Sequence, residues 1–113
     1  MPELSEEAKN LLMQFQTYQQ QMQSVMIQRE SMKLQLMEID RAVEELDKSK
    51  QTTAYKITGN IMVSKPVAEL KKELVETKEE VDIRIKSLEK TEERLNTKLK
   101  ELGEKLKGIE EEK

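Results

Sequence analysis

The sequence predicts a mainly α fold: two long helices folded back on each other as an antiparallel intramolecular coiled coil, joined by one short β-hairpin. Three observations predict it. In the first segment Leu4, Ala8, Leu11, Phe15, Tyr18, Met22, Val25, Arg29, Met32, Leu36, Ile39, Val43 and Leu46 follow a 4-3-4-3 spacing, with Arg29 the one departure from apolar character. In the second, Val67, Leu74, Val81, Leu88, Leu95, Leu102 and Ile109 recur every seven residues. Between them, Ala54 to Lys65 changes to an alternating period around a Gly-Asn pair. Apolar heptads of this length specify helices that wrap around other helices. β-branched and aromatic residues around Gly-Asn are a hairpin signal. The expected layout is a single domain, 1–113, with a helix at about 4–48, the hairpin at about 54–65 and a helix at about 66–110.

Composition supports this reading. Charged residues make up 38% of the 113 and hydrophobic ones 35%, with one Phe, two Tyr and no Trp. So few bulky side chains fill a helix stripe rather than a globular interior. High charge alone would suggest disorder, but the strict periodicity argues against it. The net charge of −3, with both signs interspersed, leaves no basic footprint for nucleic acid. No apolar run exceeds three residues, so no membrane span is expected. Met1 to Glu7 lacks the basic and apolar regions of a signal peptide. With no Cys there is no disulfide framework. A cytoplasmic protein is expected.

Each element has local justification. Ser5 is placed to cap the first helix, and Glu6 and Glu7 suit its positive end. The unbroken pattern from Leu4 to Leu46 would run about 65 Å at 1.5 Å per residue. Its outer face carries Gln14, Gln16, Gln19, Gln20, Gln21 and Gln23, which read as a solvated surface. Lys48 to Thr53 loses the pattern and reads as a connector. Thr58-Gly59-Asn60 is the expected turn, because Gly and Asn tolerate positive φ. Pro66 suits the first turn of the second helix, where its missing N–H is harmless, with Ser64 or Lys65 as cap. The second seam runs Val67, Leu70, Leu74, Thr77, Val81 and then Val81, Ile85, Leu88, Glu92, Leu95, Leu99, Leu102, Leu106, Ile109; at Val81 two spacings of four coincide, a stutter that relaxes the supercoil. Glu80–Arg84, Asp82–Lys86 and Glu101–Lys105 are acid-before-base pairs, each worth about 0.3 kcal/mol. Gly103 and Gly108 lower helix propensity by about 1 kcal/mol each.

Aligning the two heptad series pairs Leu46 with Val67, Ile39 with Leu74, Met32 with Val81, Val25 with Leu88, Tyr18 with Leu95, Leu11 with Leu102 and Leu4 with Ile109. That register sets Arg29 opposite Arg84. Like charges at a seam are costly, so both heads are expected to snorkel outward, with Glu80 neutralising Arg84. Leu11-Leu12-Met13 adds consecutive apolar residues at a coil end, near Leu99, Leu102, Leu106 and Ile109 in this register. An isolated two-stranded hairpin is marginal in water and exposes unpaired edges. The hairpin therefore predicts an oligomer organised by strands from several chains.

No enzyme is expected. Without His or Cys there is no ordinary zinc site and no Cys- or His-based nucleophilic centre. Gly59, Gly103 and Gly108 form no phosphate-binding loop. The carboxylates lie on regular helix faces, which offer no pocket to separate their pKa values. No metal or cofactor is implied.

The hairpin run Tyr55-Lys56-Ile57-Thr58-Gly59-Asn60-Ile61-Met62-Val63 closely resembles the Tyr-Lys-x-x-Gly-x-hydrophobic signature of the β-type prefoldin subunits. Gln14-Phe15-Gln16-Thr17-Tyr18-Gln19-Gln20-Gln21 is similar to that family's Gln-rich run. The resemblance covers nearly the whole chain and is strongest to archaeal members. Lys50 to Ala54 departs from it where members often carry acidic residues. α-type subunits carry two hairpins, and this chain has room for one. The resemblance implies an ATP-independent holdase co-chaperone: a hetero-hexamer of two α-type and four β-type subunits. Its hairpins would assemble into an oligomeric β-barrel platform, with Tyr55, Ile57, Gly59, Ile61, Met62 and Val63 as the assembly residues. Its coil tips would bind unfolded client proteins through Leu4, Leu11, Leu12, Met13, Leu102, Leu106 and Ile109 and pass them to a group II chaperonin. Neither nucleic acid nor membrane is an implied partner. The alternative is a structural coiled-coil spacer or adaptor that binds no client.

Overall fold

A computed structural model of the protein describes residues 5–111. Helix α1 runs Glu6–Lys48, strand β1 Thr53–Thr58, strand β2 Ile61–Pro66 and helix α2 Val67–Glu111. Among the described residues no helix is long and apolar enough to cross a membrane. The helix start follows its sequence signal: Ala8 N–H donates to the Ser5 hydroxyl at 3.1 Å, and Lys9 N–H to the Ser5 carbonyl at 3.0 Å. Glu6 and Glu7 occupy the first turn, against the positive end of the helix.

The strands pair antiparallel from Thr58↔Ile61 to Thr53↔Pro66. Among the described residues only Gly59 has positive φ, at 61°. A positive first central residue followed by an ordinary one is the pattern of a type II′ hairpin turn, which matches the strand twist. Asn60 therefore does not use the left-handed freedom expected of it.

The second helix starts differently from expectation. Pro66 closes β2 and α2 begins at Val67. The proline sits at a strand end, where a missing N–H leaves no ladder bond unmade. Neither Ser64 nor Lys65 caps the helix. The Val67 N–H donates instead to the Thr52 carbonyl at 2.9 Å, so the connector supplies the acceptor that a helix start requires.

The chain forms two compact units, one spanning Ser31–Ile85 and the other built from residues 5–30 and 86–111. In Ser31–Ile85, Ile39, Val81 and Ile85 are buried, with Met32, Leu36, Val43 and Leu74 packed around them. Each such buried aliphatic side chain contributes about 1.5–3 kcal/mol. Val81 and Ile85 are the four-residue step of the stutter, and both face the core. Thr77, a polar member of the seam, satisfies its hydroxyl on the Glu73 carbonyl at 3.0 Å. In the other unit Ala8, Leu95 and Leu102 are buried.

The helical register is displaced from the expected one. Asp40 meets Lys78 at 2.6 Å, five residues beyond its expected partner. Asp47 reaches Lys71, again five residues on. In the other unit Gly103 lies under the Phe15 ring, where the heptad alignment placed Lys98. The physical reason is that seven-residue series align equally well at several offsets. The Gly59-Asn60 turn breaks this degeneracy: within Ser31–Ile85 the helical ion pairs continue nearly the same pairing that the turn imposes on the strands.

Arg29 does not snorkel to open solvent. Its Nε lies 2.8 Å from Glu92 Oε2, with both side chains about four-fifths buried. The Nε–H is not aimed along that line, so this is an ion pair rather than a hydrogen bond. Arg29 and Glu92 are the charged members of the two apolar seams, and they meet. Removing one partner would strand a charge, so the pair favours the one register that joins both. Arg84 is exposed, as expected. Among the described residues Glu80–Arg84, Asp82–Lys86 and Glu101–Lys105 do not close as ion pairs, while Glu44–Lys48 does at 3.0 Å. Exposed pairs gain too little to hold two long side chains in one geometry.

Candidate assembly hairpin and apolar coil end

Directly opposed residues of an antiparallel pair share a face. The register therefore sorts the hairpin into two faces. Tyr55, Ile57, Met62 and Ser64 lie on one; Ala54, Lys56, Thr58, Ile61, Val63 and Lys65 lie on the other. The second face looks toward α2. Lys65 Nζ donates to Glu73 Oε1 at 2.6 Å, and Lys56 Nζ lies 3.6 Å from Glu73 Oε2. Ala54 lines a notch with Ala42, Leu46, Leu70 and Leu74, which Tyr55 also borders. The hydrogen bond from Lys65 holds the Glu73 carboxyl below the usual carboxylate range, against the opposing effect of burial. Glu73 in turn holds Lys65 above the usual lysine range. The contact is thus intact through neutral pH. Glu73's share is lost as pH falls through its lowered pKa, and that of Lys65 as pH rises through its raised one.

The face turned away from the helix is left bare. Ile57 is 72% exposed, Met62 64% and Tyr55 63%. On the inner face Val63 is 40% exposed, and Ile61, next to the turn, 65%. Five residues of the two strands therefore present exposed apolar side chains, on both faces, with both outer edges unpaired among the described residues. A monomer gains nothing from this arrangement, and edges of this kind pair with other strands unless blocked.

The coil-end residues divide by burial. Leu4 lies outside the described residues. Leu102 is buried in the coil core, and Leu11, Leu106 and Ile109 are half-buried. Met13 is well exposed and Leu12 at the margin of exposure. In the closed coil the free apolar surface is therefore Leu12 and Met13, edged by the half-buried three. Helix α2 continues through Gly103 and Gly108 to Glu111. Gly103 admits the Phe15 ring, whose Cε2 would stand 3.7 Å from an added Cβ, an ordinary contact. Nothing lies within 4 Å of a Cβ added at Gly108. Heptad reasoning did not find the Arg29–Glu92 pair or the Glu73 contacts. The first had a signal, a lone charge in each seam; the second depends on how the hairpin lies against α2 and had none. Among the described residues, no three His, Cys, Asp or Glu side chains are placed to hold a metal.

Comparison with known proteins bears on this architecture. A family model described as prefoldin subunit matches residues 9–110. The chain is 40% identical to the prefoldin subunit beta of Archaeoglobus fulgidus, covering 96% of this chain and 95% of that one. It is 36% identical to the prefoldin subunit beta of Thermococcus onnurineus, covering 94% and 92%. The crystal structure of the prefoldin beta subunit from Thermococcus strain KS-1 superimposes with a TM-score of 0.84 at 31% identity, covering 96% of each chain. A helix–hairpin–helix chain with one hairpin, matched along nearly its full length in sequence and structure, belongs to the prefoldin family as a β-type subunit, a chaperone component and not an enzyme.

Proposed function

We propose that this chain is one of four β-type subunits that join two α-type subunits through their hairpins. The resulting cytoplasmic holdase captures unfolded proteins without ATP and passes them to a group II chaperonin. The observation that carries the assembly half is the hairpin, whose outer face of Tyr55, Ile57 and Met62 is bare. Apolar surface of this kind is covered in the working state of a protein. The client half rests on Leu12 and Met13 at the coil end, bordered by Leu11, Leu106 and Ile109. Leu4 is proposed as a further member, and Leu102 joins when the coil end opens. Met and Leu adapt to varied apolar shapes, and several weak ends acting on one client gain affinity through effective concentration. The test mixes the chain with an α-type partner, weighs the complex by native mass spectrometry and follows aggregation of a chemically unfolded client without nucleotide. The expected result is a hexamer that suppresses aggregation. A complex that forms but leaves aggregation unchanged would favour the spacer reading.

Opening of the coil end has its own test. Gly103→Ala with Gly108→Ala removes two weak helix positions, each worth about 1 kcal/mol, and both sites have room for the methyl. The double variant is expected to melt later and to protect clients less well. Undiminished protection by a stiffer end would confine capture to residues already exposed in the closed coil.

A further inference from the structure

We propose that Glu73 is a positioning residue: through Lys56 and Lys65 it fixes the angle at which the hairpin leaves the coil. One carboxylate of α2 engages both strands, Lys65 of β2 at 2.6 Å and Lys56 of β1 at 3.6 Å. The two lysines sit diagonally on the same hairpin face, since Lys56 opposes Val63 and Ala54 opposes Lys65. A contact to one strand would leave the ribbon free to rock about that point. Contacts to both strands remove that rotation.

The rest of the junction leaves the angle open. On one side β2 passes into α2 with no residue between Pro66 and Val67. On the other, Ser49 to Thr52 is a connector outside helix and strand, secured to the helix start by the Thr52 carbonyl. Both links lie at the base of the hairpin and act as a hinge line. Apolar footing above that line is thin: Ala54 and Tyr55 border the notch, with Tyr55 still 63% exposed, and Val63 and Ile61 are 40% and 65% exposed. The Glu73 contacts are the polar ties that reach across the hinge from α2. Lys65 and Glu73 are partly buried and Lys56 is more exposed, so solvent screens the ties in part and their removal should show in geometry more than in melting. If hairpins are the elements that join subunits, as proposed above, their exit angle decides how the coils are disposed around the junction.

The chain has no cysteine, so Asn60→Cys and Glu79→Cys can carry a pair of spin labels, both at exposed positions. Pulsed dipolar spectroscopy on the full chain, diluted with unlabelled chain, reads the hairpin-to-helix distance within one molecule. The expected result is one narrow distribution that broadens about twofold in Glu73→Gln and, by screening, in about 1 M salt, where the Debye length falls to roughly 3 Å. The triple exchange Lys56→Glu, Lys65→Glu and Glu73→Lys, which rebuilds both ties with the signs reversed, should restore the narrow distribution. Equal widths for the parent, Glu73→Gln and Glu73→Ala would overturn the proposal, and so would broadening in Glu73→Ala alone, which would indicate lost packing. The measurement reads one chain, so it succeeds or fails independently of whether hairpins join subunits. That reading is tested by the mass of the complex with the α-type partner.

Discussion

Ile57→Asp will dissolve the proposed complex into single chains while leaving both helices intact. Ile57 is the most exposed large apolar residue of the hairpin and lies on its outer face with Tyr55 and Met62. If that face is covered by neighbouring strands, the substitution buries a carboxylate with no partner, which costs several kcal/mol at each junction. At about 1.4 kcal/mol per tenfold, even about 3 kcal/mol weakens each contact by roughly a hundredfold. The coil core of Ile39, Val81 and Ile85 is built from other elements, so helical circular dichroism should not change. Ile83→Asp is the control: Ile83 is 70% exposed but lies on α2, and this variant should assemble normally. A native mass unaltered by Ile57→Asp would remove the hairpin from the assembly.

The second large effect concerns the other function. Deleting residues 1–12 and 103–113 should abolish client protection and leave the hexamer unchanged, because no hairpin residue is touched. A finer version replaces Leu12 and Met13 with Ser. Neither is buried in the coil, so the fold should tolerate the change. Each loses an apolar contact worth about 1.5–3 kcal/mol when fully buried by a client. Because several ends act on one client, the amount of complex needed for half-maximal protection should rise at least about tenfold. Full protection by both variants would place client capture elsewhere.

The sequence made the elements legible because each announces itself through a different period. Helices α1 and α2 are read from heptads, the hairpin from alternation, and the N-terminal start from Ser5. The register was not legible from the heptads, since a series that repeats every seven residues fits its partner at more than one offset. The Gly59-Asn60 turn held the missing constraint: a two-residue loop fixes Thr58 opposite Ile61, and Asp47–Lys71 and Asp40–Lys78 follow from it more closely than from the apolar series. Arg29 and Glu92 were both visible as charges in apolar seams, and only the shifted register brings them together. Of the apolar end, composition showed which residues were available. Burial then separated Leu102, which is packed away, from Leu12 and Met13, which are not.

A turn that sets the register also restricts how the chain can change in length. One residue gained inside α1 rotates everything beyond it by about 100°, carrying seam side chains into solvent and charged ones inward. A single-residue insertion or deletion in either helix therefore destabilises the coil even where every residue is individually acceptable. Seven residues gained in one helix restore the facing stripe but move Arg29 or Glu92 out of reach of the other. The lengths open to descendants of this sequence are thus stepped: whole heptads, or four-residue stutters like that at Val81, added to both helices in step and read outward from one glycine.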